Sequence, residues 1–399
     1  MHRILAFVLT ASLLPALPLA AQKPQGAVIK VNNLRAASHN FPQVAMASSG
    51  DYVVVWQTGS DGSAELPRVW VRLFRADGAP RTKQFRVSPS RAGQTLPRLA
   101  VGADGSFVVV WQGGSSLGDT SVFGRRFDAD GRARGGRFRL SSTGSGVQFE
   151  PAVAVAPDGT FVVAWTSIDY RGDSTDINAR RFDAAGQPLG PEFRVNVATE
   201  DAQDYAQVAV NASGEFVIGW AGWAGEGSFD DVFVRRFAAN GLPLSGEIQV
   251  EDQILSQYAF ALGMAGNGAF VVLWSELDLV TDTFYNLFGQ RFTANGEPAG
   301  RPFLVNVSPL GSQEQPAIAM AADGGFFAVW GGSGPEPNAR FIVGRGFASD
   351  GTPLSSELRI DLPPAGDKGS PAVALDGDGR GLVVWRENAS VIARRLAPP

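Results

Sequence analysis

The chain has 399 residues and no cysteine, which excludes disulfides and thiolate metal sites. Histidine is almost as scarce. Of two in the chain, only His39 lies beyond the first few residues, so a polyhistidine metal centre is excluded and a Ser-His-Asp arrangement has one candidate base. Net positive charge is also missing: 34 Lys and Arg stand against 39 Asp and Glu. This balance disfavours nonspecific attraction to nucleic acid or anionic lipid. Long apolar runs are absent except at the N-terminus. There, Met1 to Ala21 has a basic start, an apolar stretch and a small-residue end, the pattern of a secretory leader. Pro15 and Pro18 interrupt the stretch, and it falls short of the roughly 20 apolar residues that a span needs. The expectation is a leader over 1–21 and an exported, periplasmic or extracellular domain over 22–399 with no membrane span. Without Arg3 that domain carries 33 bases and 39 acids.

What the chain does have is a repeat. Trp56, Trp111, Trp165, Trp220, Trp274, Trp330 and Trp385 are spaced by 54 to 56 residues. Seven units of 54 fill the 378 residues after the leader, so no second domain is left over. Each unit carries four short strand signals bounded by turn residues. In the third unit they are Ala152 to Val155, Phe161 to Trp165, Asn178 to Phe182 and Phe193 to Val195, here called strands A, B, C and D. Asp158-Gly159 between A and B is a hairpin signal, repeated at Asp104-Gly105 and Asp323-Gly324. Eleven residues before each tryptophan stands Ala45, Ala100, Ala154, Ala209, Gly263, Ala319 or Ala374. A column that is always small, on a strand apolar on both faces, fits an inner strand crowded about an axis.

Period, strand count and two-sided burial predict an all-β fold, a seven-bladed β-propeller of four-stranded blades. The last unit stops after strand C at Leu396, and an orphan segment, Val28 to Asn32, matches Phe193 to Asn196. The N-terminal strand therefore completes the last blade and removes two open edges. A single closed ring is expected to be monomeric.

Several columns invite a chemical reading. The seven tryptophans read as blade core rather than a sugar-stacking ring, because six share a face with an aromatic residue four positions earlier, as in Phe161 and Trp165, the seventh unit departing with Gly381. Arg125-Arg126, Arg180-Arg181, Arg235-Arg236 and Arg394-Arg395 on strand C read as residues that pair with turn carbonyls or carboxylates. Before strand A, Gln94, Gln148, Gln203, Gln257 and Gln313 recur, with His39 and Lys368 in the other units. These amides either ring a ligand or satisfy nearby backbone, and the second reading is preferred. No cofactor is indicated. Calcium is the one candidate ion, although Asp376-Gly-Asp-Gly379 lacks a closing acid around Leu382 and Val383.

The motifs from Asp158 to Trp165, Arg180 to Gly186 and Phe193 to Asn196 resemble the tandem propeller-like repeats of secreted and surface proteins of proteobacteria. Two features frequent in that family occur once each, Gln290-Arg-Phe292 and Asp61-Gly-Ser63. The resemblance implies a fold and a location, not a reaction. A sialidase Asp-box is not matched by Asp158-Gly159, whose aspartate and glycine are adjacent.

The B–C loops and D–A connections share one side, differ from unit to unit and are acidic. Units three to five concentrate Asp169, Asp173, Asp176, Asp201, Asp204, Glu226, Asp230, Asp231, Asp278 and Asp282 there, with Tyr170 and Trp223 among them. The expectation is an exported, nonenzymatic propeller that binds a protein or glycan ligand, or calcium, through this acidic face. The alternative is a propeller hydrolase or lyase acting on polysaccharide through paired carboxylates. Two acids clustered at a deep central pocket, one with a raised pKa, would favour the enzyme.

Overall fold

The computed structural model describes residues 19–33, 38–59, 66–89, 92–114, 120–142, 146–168, 174–199, 201–223, 230–251, 257–277, 284–307, 311–334, 339–364 and 366–398. Among these residues there is no helix. Seven antiparallel sheets of four strands form the blades of a propeller. Inner strands A pack against their neighbours all the way round, the seventh against the first. The core is accordingly divided into seven clusters, each between adjacent blades.

In the third blade the strands are Val147–Val155, Phe161–Ile168, Thr175–Phe182 and Phe193–Arg194. Strands A, B and C run further toward the acidic side than the sequence pattern suggested, and strand D is shorter. Ala156 to Gly159 make a turn in which Gly159 donates to the Ala156 carbonyl at 2.9 Å. Gly159 has φ +83°, the left-handed conformation that closes such a hairpin at little steric cost.

The repeat columns have physical roles. All seven tryptophans are at most 1% exposed. On strand B, Phe161 stacks on Phe182 of strand C at 4.9 Å, and five other blades repeat this pair. In the last blade Gly381 faces Leu396 instead. A Cβ at Gly263 would lie 2.8 Å from Met320 of the next blade. The small column thus faces the neighbouring inner strand, where blades converge on the axis.

The arginine pairs join blades, as expected of them, and form no basic groove. Arg235 donates from Nη1 to the Val195 carbonyl on strand D of the preceding blade at 2.7 Å, and Arg236 reaches the Asn295 carbonyl of the following blade at 2.8 Å. Arg125 with Val87, Arg345 with Val305 and Arg394 with Ile360 repeat the first contact.

The ring closes through the N-terminal strand, Lys23–Lys30, which pairs antiparallel with Ser390–Ala397. Asn32 accepts from the Val391 N–H at 2.8 Å, as Asn196 does from Ile177 at 2.8 Å. Arg72 then donates to the Val31 carbonyl at 2.7 Å, so the borrowed strand carries the same interblade contact as a native strand D.

Candidate functional site

The recurrent amides do not ring the channel. Gln148, Gln203 and Gln313 are buried and accept from the indole N–H of Trp165, Trp220 and Trp330. Gln94 and Gln257 accept from the backbone N–H of Val69 and Val232. Lys368 takes this place in the last blade and pairs with buried Asp361. The glutamines thus satisfy buried donors, and Gln257 also lines the mouth of the central channel.

Two residues further along strand A the architecture changes. Every inner strand carries a β-bulge, for example between Phe149 and Ala152. At each bulge one residue is left-handed: Phe41, Leu96, Glu150, Tyr205, Ala259, Gln315 and Ser370, with φ between +46° and +60°. None is glycine, so each costs roughly 1 to 2 kcal/mol. Backbone strain held in a ring of seven marks a place where the scaffold aims side chains. These residues lie at the end of strand A nearer the D–A connections.

The bulge frees backbone N–H groups from the ladder, and side chains of the preceding blade satisfy several of them. Gln57 accepts from Leu96 at 3.0 Å and Gln112 from Glu150 at 2.9 Å. In the third blade the residue after the tryptophan is Thr166, and Glu150 itself accepts from Tyr205 N–H at 3.3 Å. The Thr166 hydroxyl donates to the same Glu150 oxygen at 3.3 Å. Burial nonetheless raises the Glu150 pKa above the usual glutamate value, and the neighbouring Asp204 charge raises it further. The two hydrogen bonds and Arg98 oppose the rise without cancelling it.

Tyr205, Phe41, Gln315, Ser370 and Arg98 border a mouth of about 330 Å³. It continues into the central channel, about 240 Å³, walled by the seven inner strands. Arg98, Gln43 and Gln207 line both spaces. Tyr205 is 58% exposed and Phe41 40%, so aromatic faces stand at the rim. Glu150 holds the ring position between Leu96 and Tyr205, on the blade between those of Arg98 and Tyr205. A carboxyl whose pKa is raised near a second carboxylate has the character of a general acid toward a bound ligand. Among the described residues no cluster of acids and histidines could hold a metal ion.

Of the acids expected on the exposed face, Asp204 belongs to strand A of the fourth blade, next to Tyr205 of the mouth, and is near enough to Glu150 to raise its pKa. Asp176 belongs to strand C, where it accepts from Asn196 at 2.6 Å and faces Arg194 at 3.8 Å. Asp201 is exposed with φ +65°. Asp231 corrects the expectation: its residue is 1% exposed, and it accepts from Gln249 at 3.3 Å. The reason is that strand C of the fourth blade, Asp230–Phe237, begins earlier than the pattern suggested. The Trp223 backbone ends strand B of that blade. Asp169, Tyr170, Asp173, Glu226, Asp278 and Asp282 lie outside the described residues. Sequence reasoning missed Glu150 and Arg98. The signal of Glu150 is columnar: fifteen residues before the tryptophan, the units read Phe, Leu, Glu, Tyr, Ala, Gln and Ser, a varied column beside a constant one; Arg98 stands in the column two residues further on.

No family model and no curated protein sequence matches the chain. Solved structures do. The polysaccharide lyase Uly1 is 10% identical with TM-score 0.53, covering 98% of this chain and 94% of that one. A Penicillium chrysogenum alpha-L-arabinanase is 13% identical with TM-score 0.51, covering 76% of this chain and 92% of that one. The Hadza microbial sialidase Hz136 is 13% identical with TM-score 0.53, covering 91% of this chain and 66% of that one. At these identities the likeness is one of fold. These neighbours of the same fold are hydrolases and a lyase, which counts against the expectation of a nonenzymatic binding propeller.

Proposed function

We propose that the protein is a polysaccharide-cleaving enzyme, with Glu150 as general acid and Asp204 as the second carboxylate. The observation that carries this reading is a glutamic acid with a burial-raised pKa, close enough to Asp204 to feel its charge and hydrogen-bonded to Tyr205, which lines the mouth of the central channel. Glycoside cleavage needs one acid that keeps its proton and a second that stays ionised. Glu150 would protonate the glycosidic oxygen as the bond to the leaving sugar breaks. Asp204 would act on the opposite side of the sugar, as base for water or as nucleophile. Tyr205 and Phe41 offer apolar faces for sugar rings. Export, inferred from the leader-like N-terminus, would put the enzyme where polysaccharide is met.

The test is release of reducing ends from arabinan, sialylated glycan, polygalacturonate and a sulfated polysaccharide. Glu150→Gln should lower the rate by about 10² to 10⁴, the usual worth of a general acid, without lowering the unfolding midpoint. Product absorbing as an unsaturated uronate would assign elimination rather than hydrolysis. Cleavage that survives in Glu150→Gln, or no cleavage of any polymer, would refute the assignment.

A further inference from the structure

Thirteen residues before each tryptophan, the inner strands carry Gln43, Arg98, Ala152, Gln207, Ala261, Ala317 and Ala372. All seven line the central channel. Six are neutral, so Arg98 is the only charged side chain in this ring. It also lines the mouth, and so stands where the two spaces meet.

Its bonding differs from that of the arginines on strand C. Those arginines are tied to carbonyls of neighbouring blades and stitch the ring. Among the described residues Arg98 donates only to the carbonyl of adjacent Pro97, at 3.3 Å. No carboxylate among the described residues lies within the 4 Å of an ion pair, and Glu150 acts on it only at longer range. A half-buried guanidinium with most of its donors unused by the protein carries a desolvation cost that Glu150 offsets only in part. Most of the ring is alanine, so the scaffold has no structural need of a cation there.

We propose that Arg98 is the anion-recognition residue of this site and that the substrate is a glycan whose sugars carry a carboxylate or a sulfate ester. The inference rests on the glycan-cleaving reading of the channel mouth and names its substrate class. A guanidinium presents a planar fork of donors to two oxygens of one oxyanion. Gln43 and Gln207 add neutral donors and acceptors suited to hydroxyls. One anionic substituent therefore fixes a sugar in the channel while the neighbouring glycosidic oxygen stands at the mouth, toward Glu150.

The experiment measures binding of the full chain to polygalacturonate, a sulfated galactan and neutral galactan at fixed physiological salt, by calorimetry. The protein's net negative charge works against nonspecific capture of polyanions. The expected result is at least tenfold tighter binding of one anionic polymer than of neutral galactan, and which one identifies the oxyanion. Arg98→Gln should abolish the preference, and Arg98→Lys, which keeps charge but loses the fork, should retain only part of it. Equal binding of all three polymers, or a preference unchanged in Arg98→Gln and Arg98→Lys, would overturn the proposal. The two readings fail separately. An Arg98-dependent preference without cleavage would leave this inference standing and remove the catalytic one. Glu150-dependent cleavage of a neutral polymer with no anionic preference would do the reverse.

Discussion

Deleting residues 22–33 removes the strand that closes the ring, and the loss can be worked from its contacts. Val31 is fully buried in the cluster between the last and first blades, with Ile29 packed against that cluster, and Val28 packs between the last two blades. These three side chains are worth roughly 4 to 6 kcal/mol together, at about 1.5 to 3 for one fully buried. Two buried donors lose their acceptors: the Val391 N–H loses Asn32, and the Arg72 guanidinium loses the Val31 carbonyl. Each stranded donor costs roughly 1 to 3 kcal/mol. The total, on the order of 6 to 12 kcal/mol, is comparable with the roughly 5 to 15 kcal/mol that holds a typical domain folded. The truncated chain should unfold, or recruit a strand from a second copy and dimerise. Urea unfolding with light scattering reads both outcomes. A milder pair supplies a control, because Asn32→Ala and Asn196→Ala remove the same 2.8 Å bond, one at the seam and one inside an intact blade. The reasoning fails if the deletion leaves midpoint and mass unchanged. It also fails if Asn32→Ala is silent while Asn196→Ala costs its 1 to 3 kcal/mol.

Two further outcomes follow from buried groups. Trp165→Ala should cost about 3 to 5 kcal/mol, since the ring is fully buried and its N–H is bonded to Gln148; a loss below about 1 kcal/mol by denaturant titration would mean that the site is not core. His39 is buried, with Nδ1 2.8 Å from the Ala389 carbonyl and a pKa lowered chiefly by desolvation. The unfolded chain therefore binds a proton that the native one refuses, and stability should fall as pH drops below about 6.5, the ordinary histidine value. His39→Gln installs the residue that five other units use there and should flatten this acid limb. An unchanged slope in midpoints measured between pH 5 and 8 would disprove the linkage.

The architecture was legible because its determinants are columns. A tryptophan always buried, a small residue always facing the next inner strand and an orphan strand matching a missing one each follow from packing that repeats seven times. Glu150 was not legible from the alternation of strand A. The bulge at Phe149 to Ala152 adds a residue and breaks the two-residue period, so the segment upstream of Ala152 read as a connection although strand A begins at Val147. At Asp176 and Asp231 the expectation of loop acids failed for a related reason. Asp176 and Asp231 look like loop residues by composition, yet ladder pairing with strand B carries strand C past them. Charge alone does not tell a solvated aspartate from one buried at a strand end.

The arginines of strand C have a consequence for how such a chain arises. Six of the seven blades offer a guanidinium to the main chain of the preceding blade, Gln290 standing in its place in the fifth, and the first blade meets the N-terminal strand through the same fitting that joins Arg235 to Val195. Because the fitting engages main-chain oxygens, it tolerates drift in the neighbour's side chains. A duplicated unit arrives with both halves of its coupling already matched. The number of blades is then limited not by these couplings but at the axis, where Gly263 has no room for a single methyl group beside Met320.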